Sequence, residues 1–190
     1  MADREGKRNS GLGNWLLAAA LGAAVLVWLR APNPANRLAG PESGDSALPD
    51  LAQVEGWLNV PAGATAAALS EQFRNGLLVV DCWATWCGPC RAALPELARV
   101  HEAYRPRGVQ FVGLTQEPAA ALSKIEGVIG EVPGFTWPVG YGAGDFMDRM
   151  GIQGIPTLIL FDQGRAVWAG LGAGAVDDLA AELDSRLARG

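Results

Sequence analysis

The chain has 190 residues, 49% of them hydrophobic, and a formal net charge of −5. That supports one domain of ordinary size with a sizeable core, plus extra segments, and offers no basic stripe for nucleic acid. Three cysteines are too few for a disulfide scaffold.

Residues 1–11 form a short N-terminal segment containing Arg4, Lys7 and Arg8. Residues 12–29 read LGNWLLAAALGAAVLVWL, a run of 18 residues without a charge. At 1.5 Å per residue that is about 27 Å of helix, just long enough to cross a bilayer core. Trp15 and Trp28 sit near its ends, where interfacial aromatics belong. A cleaved signal peptide is the competing reading. The run is long for one, Arg30 follows at once, and Ala31-Pro-Asn-Pro is an awkward cleavage site. Residues 12–29 are therefore expected to be an uncleaved, single-pass anchor in the cytoplasmic membrane. The Lys/Arg bias slightly favours an N-terminus inside, with the body facing the periplasm or exterior. Residues 30–50 carry Pro32, Pro34, Pro41 and Pro49 among Gly, Ser and Asn, and read as a tether.

Residues 51–190 are expected to form the globular domain. Thr65 to Asn75 has helical spacing, with Leu69 and Phe73 four apart. Leu77 to Ala84 is a continuous apolar strand, covered on both faces. Pro89 to Tyr104 is a helix, with Pro89 tolerated in the first turn and Pro95 expected to kink it. Val109 to Thr115 is a second buried strand, Ala119 to Gly130 a helix, and Gly144 to Met150 a short one. Thr157 to Phe161 pairs with Ala166 to Ala169 across a turn at Asp162-Gln163-Gly164. Ala175 to Ala188 closes the chain as a helix with Val176, Leu179, Leu183 and Leu187 on one face. Strands alternating with helices and ending in a hairpin predict an α/β domain with a mixed sheet flanked by helices.

At the junction of the first apolar strand and its helix stands Trp86-Cys87-Gly88-Pro89-Cys90. Two cysteines with this spacing can close on each other. One thiolate attacks a disulfide in another protein, and the second thiol resolves the mixed disulfide. A zinc site would need two further ligands, and the chain offers only Cys82, inside an apolar run, and His101. A structural staple closing so small a loop removes little unfolded-chain entropy. Redox chemistry is the reading that remains strongest.

VVDCWATWCGPCRAALPEL resembles the active-site stretch of the thioredoxin superfamily, and GIQGIPTLILFDQGRAVWAGLG resembles its C-terminal half. RPRGVQFVGLTQE, a helix and then FTWPVG look like the membrane-anchored TlpA/ResA-like branch, which inserts extra structure before the Ile-Pro-Thr motif. The match covers roughly Leu77 to Gly190. EGWLNVPAGATAAALSEQF matches the branch only loosely, so the sheet edge there is undetermined by sequence.

Cys87, at the helix start, is the expected nucleophile, because unpaired N–H groups and the helix dipole favour a thiolate. Cys90, one turn in, is the resolving thiol. Gly88 lets a partner backbone approach, Pro89 stiffens the loop, and Trp86 offers an apolar surface beside the nucleophile. The resemblance implies that Pro156 is a cis-proline facing the dithiol, turning Ile155 toward a partner strand. It also implies that Asp81 is buried behind Cys90 and takes its proton, burial raising its pKa into a useful range. Glu117 matches a position where the branch often carries a glutamate near the dithiol. Cys82 is expected to be a buried, inert thiol, His101 a surface residue without a role, and Arg91 a solvated helix residue.

The resulting expectation is a membrane-tethered thiol–disulfide oxidoreductase that reduces extracytoplasmic partner proteins, of the type used in cytochrome c maturation or oxidase assembly. It needs no cofactor, no metal and no nucleic acid. Its partners are disulfide-containing clients, the membrane through the N-terminal helix, and a membrane electron donor such as a thiol transporter. Two alternatives stay open: a copper-binding chaperone using both thiolates, and a peroxiredoxin-like peroxidase. Direction of electron flow depends on relative thiolate stability, which spacing does not reveal.

Overall fold

The structure, a computed structural model, describes residues 47–189. The expected anchor at 12–29, the segment before it and the tether as far as residue 46 lie outside the described residues. The elements follow as β1 (Gly56–Leu58), α1 (Ala66–Phe73), β2 (Leu77–Cys82), α2 (Gly88–Tyr104), β3 (Gln110–Thr115), α3 (Leu122–Glu131), β4 (Val139–Tyr141), α4 (Gly144–Arg149), β5 (Thr157–Asp162), β6 (Arg165–Leu171) and α5 (Ala175–Leu187). The strands form one six-stranded sheet in the order β1-β4-β3-β2-β5-β6. β2 runs parallel to β3 and β3 to β4, while β1–β4, β2–β5 and β5–β6 are antiparallel. The expected mixed sheet flanked by helices is the one observed.

Side chains alternate across a strand, so each central strand supplies two cores. Val79, Leu158 and Leu160 pack with Leu94 and Leu97 of α2 and Leu179 and Leu183 of α5. Leu78, Val80, Cys82, Ile159 and Phe161 pack on the other face with Leu69 and Phe73 of α1 and Phe146 of α4. Burying each such large side chain contributes about 2 kcal/mol. The same parity assigns Asp81 to the face that α2 covers and Cys82 to the opposite one.

Two strands were not among the expected elements. β1 and β4 are three residues each, too short for a period-2 pattern to stand out. They are held by a close approach: Trp57 pairs directly with Gly140, and a Cβ on Gly140 would lie 3.2 Å from the Trp57 ring and 2.9 Å from Leu114. Glycine there lets the indole lie across the strand. β6 also extends beyond its expected span, and the turn before it places Gln163 at φ 50° and Gly164 at φ 73°. Positive φ at both central residues suits the twist of a tight hairpin. Packing begins ahead of Leu51. Leu48 is buried, its N–H donates to Gly164 O at 2.8 Å, and Ala47 bridges to Arg165. α2 runs unbroken through Pro95, whose ring is on the exposed side.

His101, expected on the surface, is buried. Its ring lies edge-on to Phe111 at 5.0 Å and tilted against Trp137 at 5.1 Å. The reason is helical spacing: His101 follows Leu97 by four residues and Leu94 by seven, along the stripe that α2 turns to the sheet. Burial, aided by Arg105, holds its imidazole below its usual pKa, with Glu102 opposing. The fold therefore favours the neutral ring. The stability it contributes is present above the unfolded value of about 6.5 and declines as pH falls through that value toward the lower folded one. His101→Phe should gain stability relative to the parent chain as pH is lowered from about 7 to about 5, measured by urea unfolding; a constant difference would refute this.

Candidate active site: a dithiol at a helix start

β2 ends at Cys82, and the chain reaches the first turn of α2 through Trp83 to Trp86. Trp83 N–H donates to Leu114 O at 3.0 Å and Cys87 N–H to Ala84 O at 3.1 Å, tying this connection to the sheet. Cys87 is the N-cap residue of α2, and its Sγ accepts from Cys90 N–H at 3.1 Å. Gly88 and Pro89 occupy the first turn, where the missing proline N–H costs nothing because it would have no helical partner. Cys87 and Cys90 are joined as a disulfide, with Cα atoms 5.2 Å apart. Cys87 is 5% exposed and Cys90 1%, so Cys87 is the more accessible of the two. When the pair is reduced, unpaired N–H groups and the dipole of this 17-residue helix face the Cys87 sulfur and stabilise its thiolate.

Ile155-Pro156 is a cis peptide, as the resemblance implied. It precedes β5, the antiparallel neighbour of β2, and this register carries the proline to the dithiol. Pro156 and Cys90 share the lining of a small cavity with Asp81, Leu94, Gly172 and Val176. Asp81 is buried there and its Oδ2 has no protein hydrogen-bond partner among the described residues. Burial raises its pKa from 3.8 to about 7. Such a carboxyl is able to accept a proton at neutral pH, and the cavity that it lines together with Cys90 is of single-water size.

Glu117 takes a different place from Asp81. Its Oε2 accepts from Thr85 N–H at 2.7 Å and Thr115 Oγ1 at 3.1 Å, and its Oε1 accepts from Thr85 Oγ1 at 2.6 Å. The carboxylate is anchored by the residue two positions before Cys87, and it does not line the cavity of Asp81 and Cys90. Its geometry is that of a clamp on the active-site loop. Thr85, the other half of the clamp, was missed from sequence, since its partner lies 32 residues away.

Trp86 is 66% exposed beside Cys87, with Gly88 and Pro89 also at the surface. Arg91 is solvated as expected, paired with Glu131 at 2.8 Å. Cys82 is fully buried on the far side of the sheet, and its thiol is pushed above its usual pKa by burial first and by Asp81 second. It has no route to the dithiol. Among the described residues, no group of three His, Cys, Asp or Glu side chains is placed to hold a metal ion.

A model of the Redoxin family matches residues 42–182. Protein DipZ of Mycobacterium bovis is 32% identical over 79 residues, which is 42% of this chain but only 11% of the length of DipZ. Thioredoxin 1 of Synechococcus elongatus is 27% identical over 133 residues, covering 68% of this chain and 100% of that protein. Among solved structures, a protein described as thiol:disulfide interchange protein DsbE from Chlorobium tepidum superposes with a TM-score of 0.54 at 25% identity, covering 63% of this chain and 84% of its own.

Proposed function

The chain belongs to the Redoxin family, within the thioredoxin superfamily and its TlpA/ResA-like branch, and is a thiol–disulfide oxidoreductase with a Cys87–Cys90 pair; from that premise we propose that it reduces disulfides of extracytoplasmic client proteins while tethered to the cytoplasmic membrane by residues 12–29. The observation that carries the proposed cycle is the shared cavity of Cys90, Asp81 and Pro156 behind Cys87. It places a carboxyl beside the resolving thiol, able to take its proton when the pair is oxidised and to return it when the pair is reduced; the reducing direction is the one that the resemblance to the TlpA/ResA-like branch favours.

The cycle starts from the reduced pair. The Cys87 thiolate attacks one sulfur of a client disulfide, forming a Cys87–client disulfide and releasing the other client sulfur as a thiolate. Asp81 takes the Cys90 proton. The Cys90 thiolate then attacks the Cys87 sulfur, closing the Cys87–Cys90 disulfide and releasing the second client thiolate. Two electrons pass to the client, whose thiolates take up two protons. A membrane dithiol donor, such as a thiol transporter, returns two electrons to the oxidised pair. Glu117 and Thr85 hold the loop that presents Cys87. Ile155 offers backbone groups to the client strand. Support for the membrane address comes from the length of the uncharged run at 12–29 and its flanking tryptophans.

The test is to express full-length Cys90→Ser in cells. Client adducts through Cys87 should accumulate because the resolving thiol is gone. They should form in the membrane fraction and be accessible to a membrane-impermeant reagent from outside. Absence of adducts removes the reductase cycle; adducts confined to cytoplasmic proteins remove the proposed address.

A further inference from the structure

We propose that Glu55 is a positioning residue for Cys87, acting through the clamp of Glu117 on Thr85. The role holds for electron flow in either direction, since both directions pass through the Cys87 sulfur. Glu55 directly precedes β1, in the stretch whose place in the sheet the sequence left undetermined. Its N–H donates to Tyr141 O at 3.0 Å, which fixes it beside the end of β4. Its side chain crosses the next residue of that strand end: a Cβ on Gly142 would lie 2.3 Å from Glu55 Cγ and 2.6 Å from its Cδ. Gly142 has φ 68°, so glycine supplies both the backbone conformation and the slot. From that slot Glu55 Oε2 accepts from Ala119 N–H at 2.9 Å.

These contacts converge on the strap that carries Glu117. β3 ends at Thr115, and Gln116 to Pro118 lead the chain away from the sheet. Ala143 N–H donates to Thr115 O at 2.9 Å and Gly142 N–H to Glu117 O at 2.8 Å, so the strap is tied to the turn after β4. Pro118 has no N–H, and Ala119 carries the first main-chain donor after Glu117. Glu55 takes that donor in a charge-assisted bond and closes the far side of the strap. The Glu117 carboxylate in turn grips Thr85 N–H and Oγ1, two residues before Cys87. Where the strap sits therefore sets where the loop is held, and with it the Cys87 sulfur that accepts from Cys90 N–H at the start of α2. Removing the Glu55 carboxylate releases the tie beyond Glu117 and loosens the grip. A small displacement of the nucleophile is enough to slow its attack.

The experiment follows attack by Cys87 on the disulfide of dithiobis(nitrobenzoate), in the full chain carrying Cys90→Ser, reduced and then freed of dithiothreitol. The Cys87 thiolate forms a mixed disulfide with one half of the reagent and releases the other half as a coloured thiolate; the buried Cys82 does not compete. Glu55→Ala should lower the second-order rate constant about fivefold. Glu55→Gln, whose amide oxygen still accepts from Ala119 N–H, should restore it to within about twofold of the parent. In a Glu117→Ala background, where no carboxylate grips Thr85, adding Glu55→Ala should change the rate by less than about twofold. Thr85→Val, which removes the hydroxyl from the grip, serves as the background if Glu117→Ala does not fold, and there the effect of Glu55→Ala should shrink. A full rate in Glu55→Ala, no restoration by Glu55→Gln, or an equal loss with and without the clamp overturns the role and leaves the reductase reading standing. A parent chain that does not react with the reagent overturns the role together with Cys87 as the nucleophile.

Discussion

Cys87→Ser should abolish disulfide reduction, with kcat/KM on a protein disulfide such as insulin falling on the order of 10⁴-fold or more. Cys87 holds the outer sulfur, at the helix start where N–H groups face it. Serine keeps the size and the cap but presents an oxygen that stays protonated at neutral pH, so no nucleophile remains. The other cysteines give contrasting outcomes. Cys90→Ser keeps the attack and loses the resolution, so adducts build up instead of vanishing. Cys82→Ala, on the far face of the sheet, should leave the rate within about twofold, with a modest loss of stability from the lost packing. Turbidity from insulin reduction separates Cys87→Ser from Cys82→Ala, and non-reducing gels separate Cys87→Ser from Cys90→Ser. Residual reduction by Cys87→Ser near the parent rate would refute the assignment of the nucleophile.

Asp81→Asn should stabilise the protein and slow it. The carboxyl is buried with one oxygen unpartnered, and burial lifts its pKa from 3.8 to about 7. The folded state then holds a proton that the unfolded state releases between those values. Stability contributed by the neutral carboxyl is full below about pH 4, declines as pH rises, and is lost once pH passes about 7. A shift of this size corresponds to roughly 4 kcal/mol at about 1.4 kcal/mol per unit. Asparagine is neutral throughout, so its advantage should be absent near pH 4 and reach that order above pH 7, by urea unfolding. Resolution of a Cys87 mixed disulfide should at the same time slow by about 10²-fold at neutral pH, because Cys90 has lost its proton acceptor. Raising the pH should recover part of that rate as solvent removes the proton instead. Gain of stability with loss of rate distinguishes this from damage to the fold. A flat stability difference across pH, or an unchanged resolution rate, would refute the role of Asp81.

The parts of this site that were legible in the sequence are those written in near neighbours. Cys87 and Cys90 sit one helical turn apart, and Pro89 marks the start of the helix that carries them. The alternation of β2 already separates Asp81 from Cys82, because successive strand residues face opposite ways. Pro156 was legible only through the resemblance, since nothing local marks a cis bond. His101, expected at the surface, is buried, as its spacing from Leu94 and Leu97 on the sheet-facing stripe requires.

What sequence by itself determined is the redox pair, the order of the longer elements and the two-sided burial of the central strands, because each is written in short-range spacing. Tertiary structure alone decided the short outer strands β1 and β4, the clamp of Glu117 on Thr85, and the cavity joining Asp81 to Cys90 and Pro156. Each of these joins residues far apart in the chain. Their pairing depends on strand order and register, which no local pattern specifies. The dithiol is thus a local feature, while the proline loop that faces it and the carboxylate that clamps its loop are supplied by distant segments.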